Sequence, residues 1–341
     1  MSLVRLARQY SWELLLVVLI LAAGAWATTL SPFYLEAAQI LGSAQYFAIF
    51  GILAFGLMTV VIQGEIDISL ASTLAVGSVT FAQLATNGFP VVVATVIVLA
   101  LCATLGAING VLVAYANLPS LAVTLGTLGA YRGLAYIIGG EAGFTGLPES
   151  YTYLGSHLLG IVPASLLVFL LLAAATAVLM AATPFGRYSY AIGNSSPASA
   201  MAGVPVKRVR VGAYVVAALT AGIGSLLWIG QYFSARADNA DGSILFILTA
   251  VVLGGVSIKG GKGTVVGVLL AVLLLGVLSN GMGLANFPGS SQTLILGALL
   301  IVSIGLPNGV VRLRSSLSRR QRAATAARLV TDDDARARSP G

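Results

Sequence analysis

Long apolar runs recur along the whole chain, and they constrain its fold more than any other feature. A transmembrane helix needs about 20 mostly apolar residues. Only 9% of the 341 residues are charged, against about 25% in ordinary soluble domains. We therefore predict an all-α integral membrane protein with about ten transmembrane helices, at 12–30, 40–62, 66–86, 90–115, 119–139, 157–182, 211–233, 243–258, 264–284 and 291–311. The third, fifth and eighth segments are the weakest, being short or rich in Gly, Ser and Thr.

The positions of the basic residues predict the orientation. Lys and Arg concentrate in the short cytoplasmic segments of membrane proteins. Ten spans with a cytoplasmic N-terminus place 16 of the 18 basic residues inside. Only Arg236, in an outer loop, and Arg132, within a span, are excepted. We expect a transmembrane domain over 1–311, both termini in the cytoplasm, and a basic, disordered cytoplasmic tail over 312–341 that lies near anionic lipid rather than binding nucleic acid.

The reactive residues that enzymes use are almost missing. Cys102 is the only cysteine and His157 the only histidine, so the sequence holds no disulfide framework, metal cluster or Ser-His-Asp set. The stretch VSIKGGKGT resembles a phosphate-binding loop, yet Val256 stands where its first glycine should be and Gly263 where its hydroxyl should be. We predict no catalytic residue, no metal and no cofactor in this chain.

A faint internal repeat runs through the sequence. The order Gly, Asn-Gly, Ala-Asn-x-Pro and Leu-Gly occurs over residues 105–126 and again over 275–297. The copies lie five predicted spans apart, so they would cross the membrane in opposite senses. That arrangement is typical of an inverted-topology repeat. The alternative is that Asn-Pro pairs simply mark turns between helices, and we favour the repeat.

The polar segment 184–210 is the longest internal loop on the predicted cytoplasmic side. Ser196 suits the N-cap of a short helix, Pro197 its first position and Gly203 the position just past its end. A helix of barely two turns is not stable alone. Its small residues and one flexible Met suit docking into a partner's groove. The alternative is a turn that merely joins two spans.

Four segments in order resemble the permease subunits of ABC importers for monosaccharides, the ribose-type family. They extend over residues 64–263 and comprise GEIDIS at 64–69, VTLGT with YRG at 123–133, GR, AIGN and GV within 186–204, and AVVLGG followed by GGKG within 250–263. This resemblance implies a fold like that of type II ABC importers. It also implies a multi-pass protein of the bacterial inner membrane.

The resemblance further implies partners and residue roles. Separate ABC ATPase subunits would bind ATP and Mg²⁺, a periplasmic sugar-binding protein would deliver the solute, and a second permease copy or a sister permease would complete the channel. The loop 184–210, which we call the coupling loop, would receive the ATPase through Gly186, Arg187, Asn194, Pro197, Ala198, Met201, Ala202 and Gly203. The family's structural motif residues would be Asp67, Gly254, Gly255, Gly261 and Gly263.

Two departures from the family pattern bear on the substrate. Glu65 replaces a glycine, which places a second carboxylate beside Asp67. Ile244 stands where ribose-type members usually carry an acid, and the outer loop SARADNADG resembles the branch that handles rhamnose and autoinducer-2. An apolar residue at that position suits a sugar with a methyl in place of a hydroxyl, because an unpaired polar group costs free energy. We therefore favour a rhamnose-like monosaccharide or polyol-like solute.

Few polar residues lie where they could line a path for such a solute. Arg132 could line the path or brace neighbouring helices. The other candidates could line it or satisfy nearby backbone groups, and they are Asn109, Thr124, Thr127 and Gln231. The alternative function is an ion-coupled secondary transporter, which would need an acid near the middle of the bilayer. We find no acid at that depth, which favours the ATP-driven importer.

Overall fold

The computed structural model describes residues 11–30, 34–156, 158–159 and 162–305. Helices dominate this part of the chain: α1 Ser11–Leu30, α2 Ala37–Val61, α3 Leu70–Thr86, α4 Val91–Ala114, α5 Ser120–Gly139, α6 Glu149–Ser156, α7 Ala164–Ala182, α8 Pro184–Asn194, α9 Ser196–Met201, α10 Val206–Tyr232, α11 Ile244–Leu253, α12 Val265–Leu284 and α13 Gly289–Gly305. Four two-residue strands pair antiparallel: β1 Phe144–Thr145 with β4 Ser234–Ala235, and β2 Leu158–Leu159 with β3 Val162–Pro163. The fold class is all-α. The predicted tail lies outside the described residues.

Each of the ten predicted segments contains a helix, but the helices differ in length. Among the described residues, six are long and apolar enough to cross a membrane, namely α1, α4, α5, α7, α10 and α12. Counting α2, which bends by 42° between Gln39–Gln45 and Phe47–Val61, gives seven. The remaining three, α3, α11 and α13, have only 10 to 17 residues. The count of ten spans is therefore not confirmed.

The short helices α3 and α11 explain why their sequence signals are weak. Thirteen of the 17 residues of α3 are buried, as are seven of the ten in α11. A helix surrounded by protein need not present a long apolar surface to lipid, and its polar side chains can find protein partners. The hydroxyl of Ser78 on α3, for example, accepts a hydrogen bond from the Asn239 side chain (2.9 Å). The fifth segment, α5, is a full 20-residue helix despite its Gly and Thr content.

Helix α10 lies at the centre of the molecule and packs against α2, α3 and α4. Small residues allow the helix backbones to approach closely. A Cβ on Gly56 of α2 would lie 2.8 Å from the Cα of Ala217 on α10. A Cβ on Gly110 of α4 would lie 2.8 Å from the Cα of Val211. Glycine at these positions therefore determines how tightly α10 fits among its neighbours.

The loops gather at the two ends of the helix bundle. At one end, the coupling loop meets the segments 62–69 and 254–264, and we call this the coupling-loop end. At the opposite end, β1 pairs with β4, and the Tyr151 hydroxyl donates to the Phe89 carbonyl (2.7 Å). The predicted inner loops thus share one end, and the predicted outer loops share the other.

The two Ala-Asn-x-Pro segments form similar turns. Asn117 follows α4 with φ of +53°, and Asn286 follows α12 with φ of +55°. Asparagine is one of the few side chains that tolerate this left-handed conformation. In each case a proline two residues later directly precedes the next helix, α5 or α13. The inverted repeat itself stays a prediction.

We expect Gly230→Ala to destabilise the fold. Gly230 of α10 lies so close to Gly155 of α6 that an added Cβ would overlap the Gly155 backbone. Overpacking of this kind costs about 1–3 kcal/mol. Gly129→Ala is the matched control, because a Cβ there meets no atom within 4 Å and alanine favours the helix. Thermal unfolding in detergent should show a lower midpoint for Gly230→Ala only, and equal midpoints would contradict the packing described here.

Candidate functional site

Two short helices, α8 and α9, fill most of the coupling loop. The N-cap of α9 is Ser195, not the predicted Ser196, and its hydroxyl accepts from the Ala198 amide (3.4 Å). The prediction was wrong by one residue because adjacent serines are equally good caps in sequence, and only the backbone geometry selects one. Pro197 therefore takes the second helical position. Gly203 lies just past the helix end as predicted, in the left-handed conformation with φ of +81°.

Helix α9 exposes most of its surface. Met201 is 89% exposed, while Ser199 is buried and its hydroxyl donates to the Ser195 carbonyl (2.9 Å). The other residues of its outward surface are small: Pro197, Ala198, Ala200 and Ala202. A small convex surface with one flexible Met at its end fits a complementary groove without a large loss of side-chain entropy.

The remaining predicted coupling residues have different positions. Arg187 and Asn194 are exposed on α8, and the Asn194 amide donates to the Tyr190 carbonyl (2.8 Å). Gly186 is buried in the sharp turn between α7 and α8, where the Met180 backbone leaves no room for a Cβ. Gly186 therefore shapes the loop, and the exposed residues are the ones that a partner can contact.

Three loops interlock through glycines where the coupling loop meets the helix bundle. The Gly261 amide donates to the Ile62 carbonyl (2.8 Å). A Cβ on Gly193, near the end of α8, would overlap both that carbonyl and that amide. Gly64, Gly260 and Gly261 have φ of +82°, +85° and +75°, which favours glycine. We call this contact the glycine junction, and it brings together three of the four segments that carry the family resemblance.

The other predicted motif glycines lie beside the glycine junction. A Cβ on Gly254 would lie 2.6 Å from the Cα of Val268 on α12. Gly255 has φ of +85°, and Gly263 has φ of +147°. The Gly263 carbonyl accepts a hydrogen bond from the Tyr190 hydroxyl (2.8 Å), which ties this turn to α8.

A buried polar network extends from the glycine junction into the bundle. Asp67 Oδ1 accepts from the Ser69 amide (2.9 Å) and hydroxyl (2.6 Å). The Ser69 oxygen accepts from Asn109 Nδ2 (2.9 Å), and Asn109 Oδ1 accepts from the Tyr131 hydroxyl (3.2 Å). Thr124 Oγ1 donates to the backbone of the same segment, at the Ile66 carbonyl (3.3 Å). Asn109 and Thr124, two of the predicted path residues, are thus fully buried and satisfy other polar groups.

Comparison with known proteins identifies the class of this chain. Residues 39–304 match the family described as branched-chain amino acid transport system / permease component. The chain belongs to this permease family. The resemblance to importer permeases that the four segments indicated is confirmed, and the chain is a multi-pass membrane protein of that class.

The curated relatives are more specific. The autoinducer 2 import system permease proteins LsrD of Escherichia coli K12 and Shigella flexneri are each 34% identical over 307 residues, which covers 87% of this chain and 92% of the relative. The protein of the same name from Salmonella paratyphi A is 34% identical over 304 residues, which covers 87% of this chain and 91% of the relative. No solved structure matches the chain.

An ion pair at the coupling-loop end of the permease involves the residue that departs from the family pattern. Glu65 Oε1 lies 3.1 Å from Arg210 NH2, and each side chain is 17% exposed. Arg210 is the last residue of the coupling loop and lies in the first turns of α10, and Glu65 precedes α3. The pair therefore connects the start of α10 to the segment that begins the buried polar network.

Arg132 lies near the opposite end of the permease and braces a loop there. Its guanidinium donates to the carbonyls of Ala237 (2.5 Å) and Asn239 (2.9 Å), and it lies 3.9 Å from Asp241. These contacts hold the segment 233–243 against α5. Of the two roles considered from sequence, the geometry favours bracing.

The five predicted path residues do not form one site. Thr127 donates to the Thr124 carbonyl (3.5 Å) within α5, as polar side chains in membrane helices commonly do. Gln231 is near the end of α10, and neither polar atom of its buried amide has a partner among the described residues. Arg132 and Gln231 lie toward the end opposite the coupling loop, whereas Asn109 and Thr124 belong to the buried network near the coupling-loop end.

A cavity of about 480 Å³ is the feature that sequence reasoning missed. It lies between the bent first part of α2, α11 and α12, and Gln39 and Asn280 contribute amide groups to it. Asn280 is the counterpart of Asn109 in the predicted internal repeat. The repeat was therefore the sequence signal that could have indicated Asn280 as a site residue. Only the fold shows that Asn280 lines a cavity, whereas Asn109 belongs to the buried polar network.

We expect the Glu65–Arg210 pair to stabilise the permease. Glu65→Gln or Arg210→Gln leaves one charge with little exposure and no partner, which should cost on the order of 2 kcal/mol. The double variant should recover part of that loss, since neither charge remains. Thermal unfolding in detergent measures all three. Arg236→Gln is the control, because its pair with Asp238 is about half exposed (52% and 48%), and additive single effects would contradict the coupling.

Proposed function

We propose that this chain is the membrane-spanning permease subunit of an ATP-driven importer for a monosaccharide or similar polyol-like solute. A periplasmic binding protein delivers the solute, and separate ABC ATPase subunits bind and hydrolyse ATP with Mg²⁺. A second copy of this chain or a sister permease completes the path. The membership of the permease family supports the proposal at the level of class.

The observation that carries the proposal is the exposed helix α9 above the glycine junction. Its outward surface is small and convex, with Met201 89% exposed. The loop that bears it is fixed to the segments 62–69 and 254–264 through close backbone contacts. A partner that moves α9 therefore moves the starts of α3, α10 and α12, which is what coupling to an ATPase requires.

The solute that we favour is autoinducer 2 or a rhamnose-like sugar. The relatives named autoinducer 2 import permeases are 34% identical over most of this chain, which supports that class. Ile244 begins α11, and Phe246 in the same turn lines the cavity between α2, α11 and α12. An apolar residue near this cavity suits a solute that carries a methyl group.

We propose that the coupling-loop end faces the cytoplasm, with ten membrane helices that include an inverted repeat. The separation of the predicted inner and outer loops to opposite ends supports this topology. The similar left-handed turns at Asn117 and Asn286 support the repeat, because each follows the matching helix of its copy. Both termini would then be cytoplasmic.

The topology can be tested with single cysteines. Ala198 and Ser150 are exposed and lie in the predicted inner and outer loops, and the native Cys102 is buried. We expect Ser150→Cys to react with a membrane-impermeant thiol reagent in intact cells. Ala198→Cys should react only after the cells are opened. Labelling of Ala198→Cys from outside would reverse the proposed orientation.

Coupling can be tested on α9. Ala198→Glu and Ala202→Glu add volume and a charge to a surface that should pack into an ATPase groove. Burying an unpaired carboxylate there would cost roughly several kcal/mol. Gly203→Val puts a β-branched residue at φ of +81°, which that residue tolerates poorly. We expect each variant to insert into the membrane normally but to lose most ATPase co-purification and solute uptake.

The matched control for the coupling test is Ala142→Glu. Ala142 is exposed at the opposite end of the permease, so the same substitution there should leave the ATPase bound. All variants are compared at equal expression in cells that carry the complete importer. Normal co-purification and uptake in Ala198→Glu, Ala202→Glu and Gly203→Val together would show that α9 is only a connector.

One observation favours a second function, an ion-coupled transporter. Asp67 is 1% exposed, and its Oδ2 has no partner among the described residues. A buried carboxylate of this kind can bind a coupling ion. Asp67 lies between α2 and α3, near the coupling-loop end and not in the middle of the bundle. This position favours the ion-coupled transporter less than a position in the middle of the membrane would. Uptake that survives loss of the ATPase subunit but stops with a protonophore would favour this second function.

A further inference from the structure

The cavity between α2, α11 and α12 has the size and chemistry of a small-molecule site. Its volume of about 480 Å³ lies within the range of about 300–1,000 Å³ that ligand pockets usually have. Phe47, Phe50 and Phe246 supply aromatic surface, and Gln39 and Asn280 supply amides. A few polar groups in a mostly apolar lining are typical of sites that orient a small ligand.

The amide groups of the cavity are already positioned. Gln39 Nε2 donates to Asn280 Oδ1 (3.2 Å), so each side chain fixes the other. This bond leaves the Gln39 carbonyl and the Asn280 amide hydrogens for a ligand. Hydroxyl groups can both donate and accept, so a polyol can use these two groups together. The bend of 42° in α2 places Gln39 on the part of that helix that turns away from the core.

Phe50 lines both this cavity and a second recess. The recess has a volume of about 400 Å³ and lies near the end of the permease that is opposite the coupling loop. Its lining consists of Phe50, Trp228, Tyr232 and charged residues of the segment 233–243. The Phe50 ring is 6.1 Å from the ring of Trp228 and 5.7 Å from that of Phe246. We take a rotation of this side chain as the movement that would connect the two spaces.

The recess has the polar character of an entrance. Arg236 hydrogen-bonds Asp238 (3.0 Å), and this bond holds the pKa of the Asp238 carboxyl below its ordinary value. The group thus stays charged and solvated at neutral pH. A solute in the recess would contact charged, hydrated side chains. After passing Phe50 it would contact the aromatic rings and amides of the cavity.

We propose that the cavity is the intramembrane binding site for the transported solute, and that Phe50 separates it from the recess through which the solute arrives. The ligand class is a small polyol with an apolar, methyl-bearing face. The apolar face would lie against Phe47, Phe50 and Phe246, and the hydroxyls would bond Gln39 and Asn280. This inference rests on the proposed importer function and adds the site to it.

The first test uses Asn280→Cys in the complete importer. Labelling by a small membrane-impermeant thiol reagent, applied from outside, is measured with and without autoinducer 2 or L-rhamnose at saturating concentration, together with the binding protein. We expect at least a threefold slower labelling with the transported solute and no change for Ser150→Cys in the outer loop. Phe50→Ala should accelerate labelling of Asn280→Cys severalfold, because it removes the ring that lines both the cavity and the recess.

The second test measures uptake. Asn280→Leu should lower the rate about tenfold, which corresponds to the loss of one net hydrogen bond of about 1.4 kcal/mol. ATPase co-purification should not change, because Asn280 lies outside the coupling loop. Gln83→Leu is the matched control, since Gln83 is an exposed amide of α3 outside the cavity.

The outcomes distinguish this inference from the proposed function. One outcome overturns the site alone. In it, the unmodified importer takes up the solute, the solute does not slow labelling of Asn280→Cys, and Asn280→Leu shows normal uptake. Labelling of Asn280→Cys only by a lipid-soluble reagent would mean that acyl chains occupy the cavity, and it overturns the site as well. An unmodified importer that takes up neither autoinducer 2 nor L-rhamnose overturns both the site and the proposed solute class.

Discussion

The backbone hydrogen bond from the Gly261 amide to the Ile62 carbonyl (2.8 Å) is the contact on which the coupling-loop end depends. It joins the loop after α11 to the loop after α2, and Gly193 at the end of α8 lies against both groups. Such an approach is open only to residues without a Cβ. Because Gly261 also has a φ of +75°, no other residue satisfies both the sterics and the backbone conformation at that position.

The glycine junction matters because rigid loops transmit movement. The Gln63 side chain donates to Ser189 of α8 (3.1 Å) and to the Val209 carbonyl of α10 (3.4 Å), and Glu65 pairs with Arg210. These bonds connect the two sides of α9 to the segment before α3. Asp67 and Ser69 then continue the chain of contacts to α4 and α5. A displacement at α9 would reach the centre of the permease through hydrogen-bonded contacts rather than through flexible loops.

The candidate site could be predicted only in part. Sequence placed the short helix of the coupling loop within one residue, because Pro and Gly have backbone preferences that hold locally. It also selected Asn109 and Arg132 as candidates to line the solute path, since polar groups in membrane helices are costly. What it could not supply was their partners. Asn109 meets Ser69 from a distant part of the chain, and its repeat counterpart Asn280 lines a cavity that the bend of α2 creates.

The sequence by itself determined the class of fold, the limits of most helices and the sorting of loops to two sides. Hydropathy and charge act residue by residue against lipid and water, so a linear reading captures them. Tertiary structure alone decided which helices are buried within the protein, and it made α3 and α11 short where the apolar pattern suggested spans. It also decided which polar residues satisfy one another and which line an open space. Those outcomes depend on contacts between residues far apart in sequence, such as Ser69 with Asn109, 40 residues apart, and Ser78 with Asn239, 161 residues apart. No local pattern encodes such contacts.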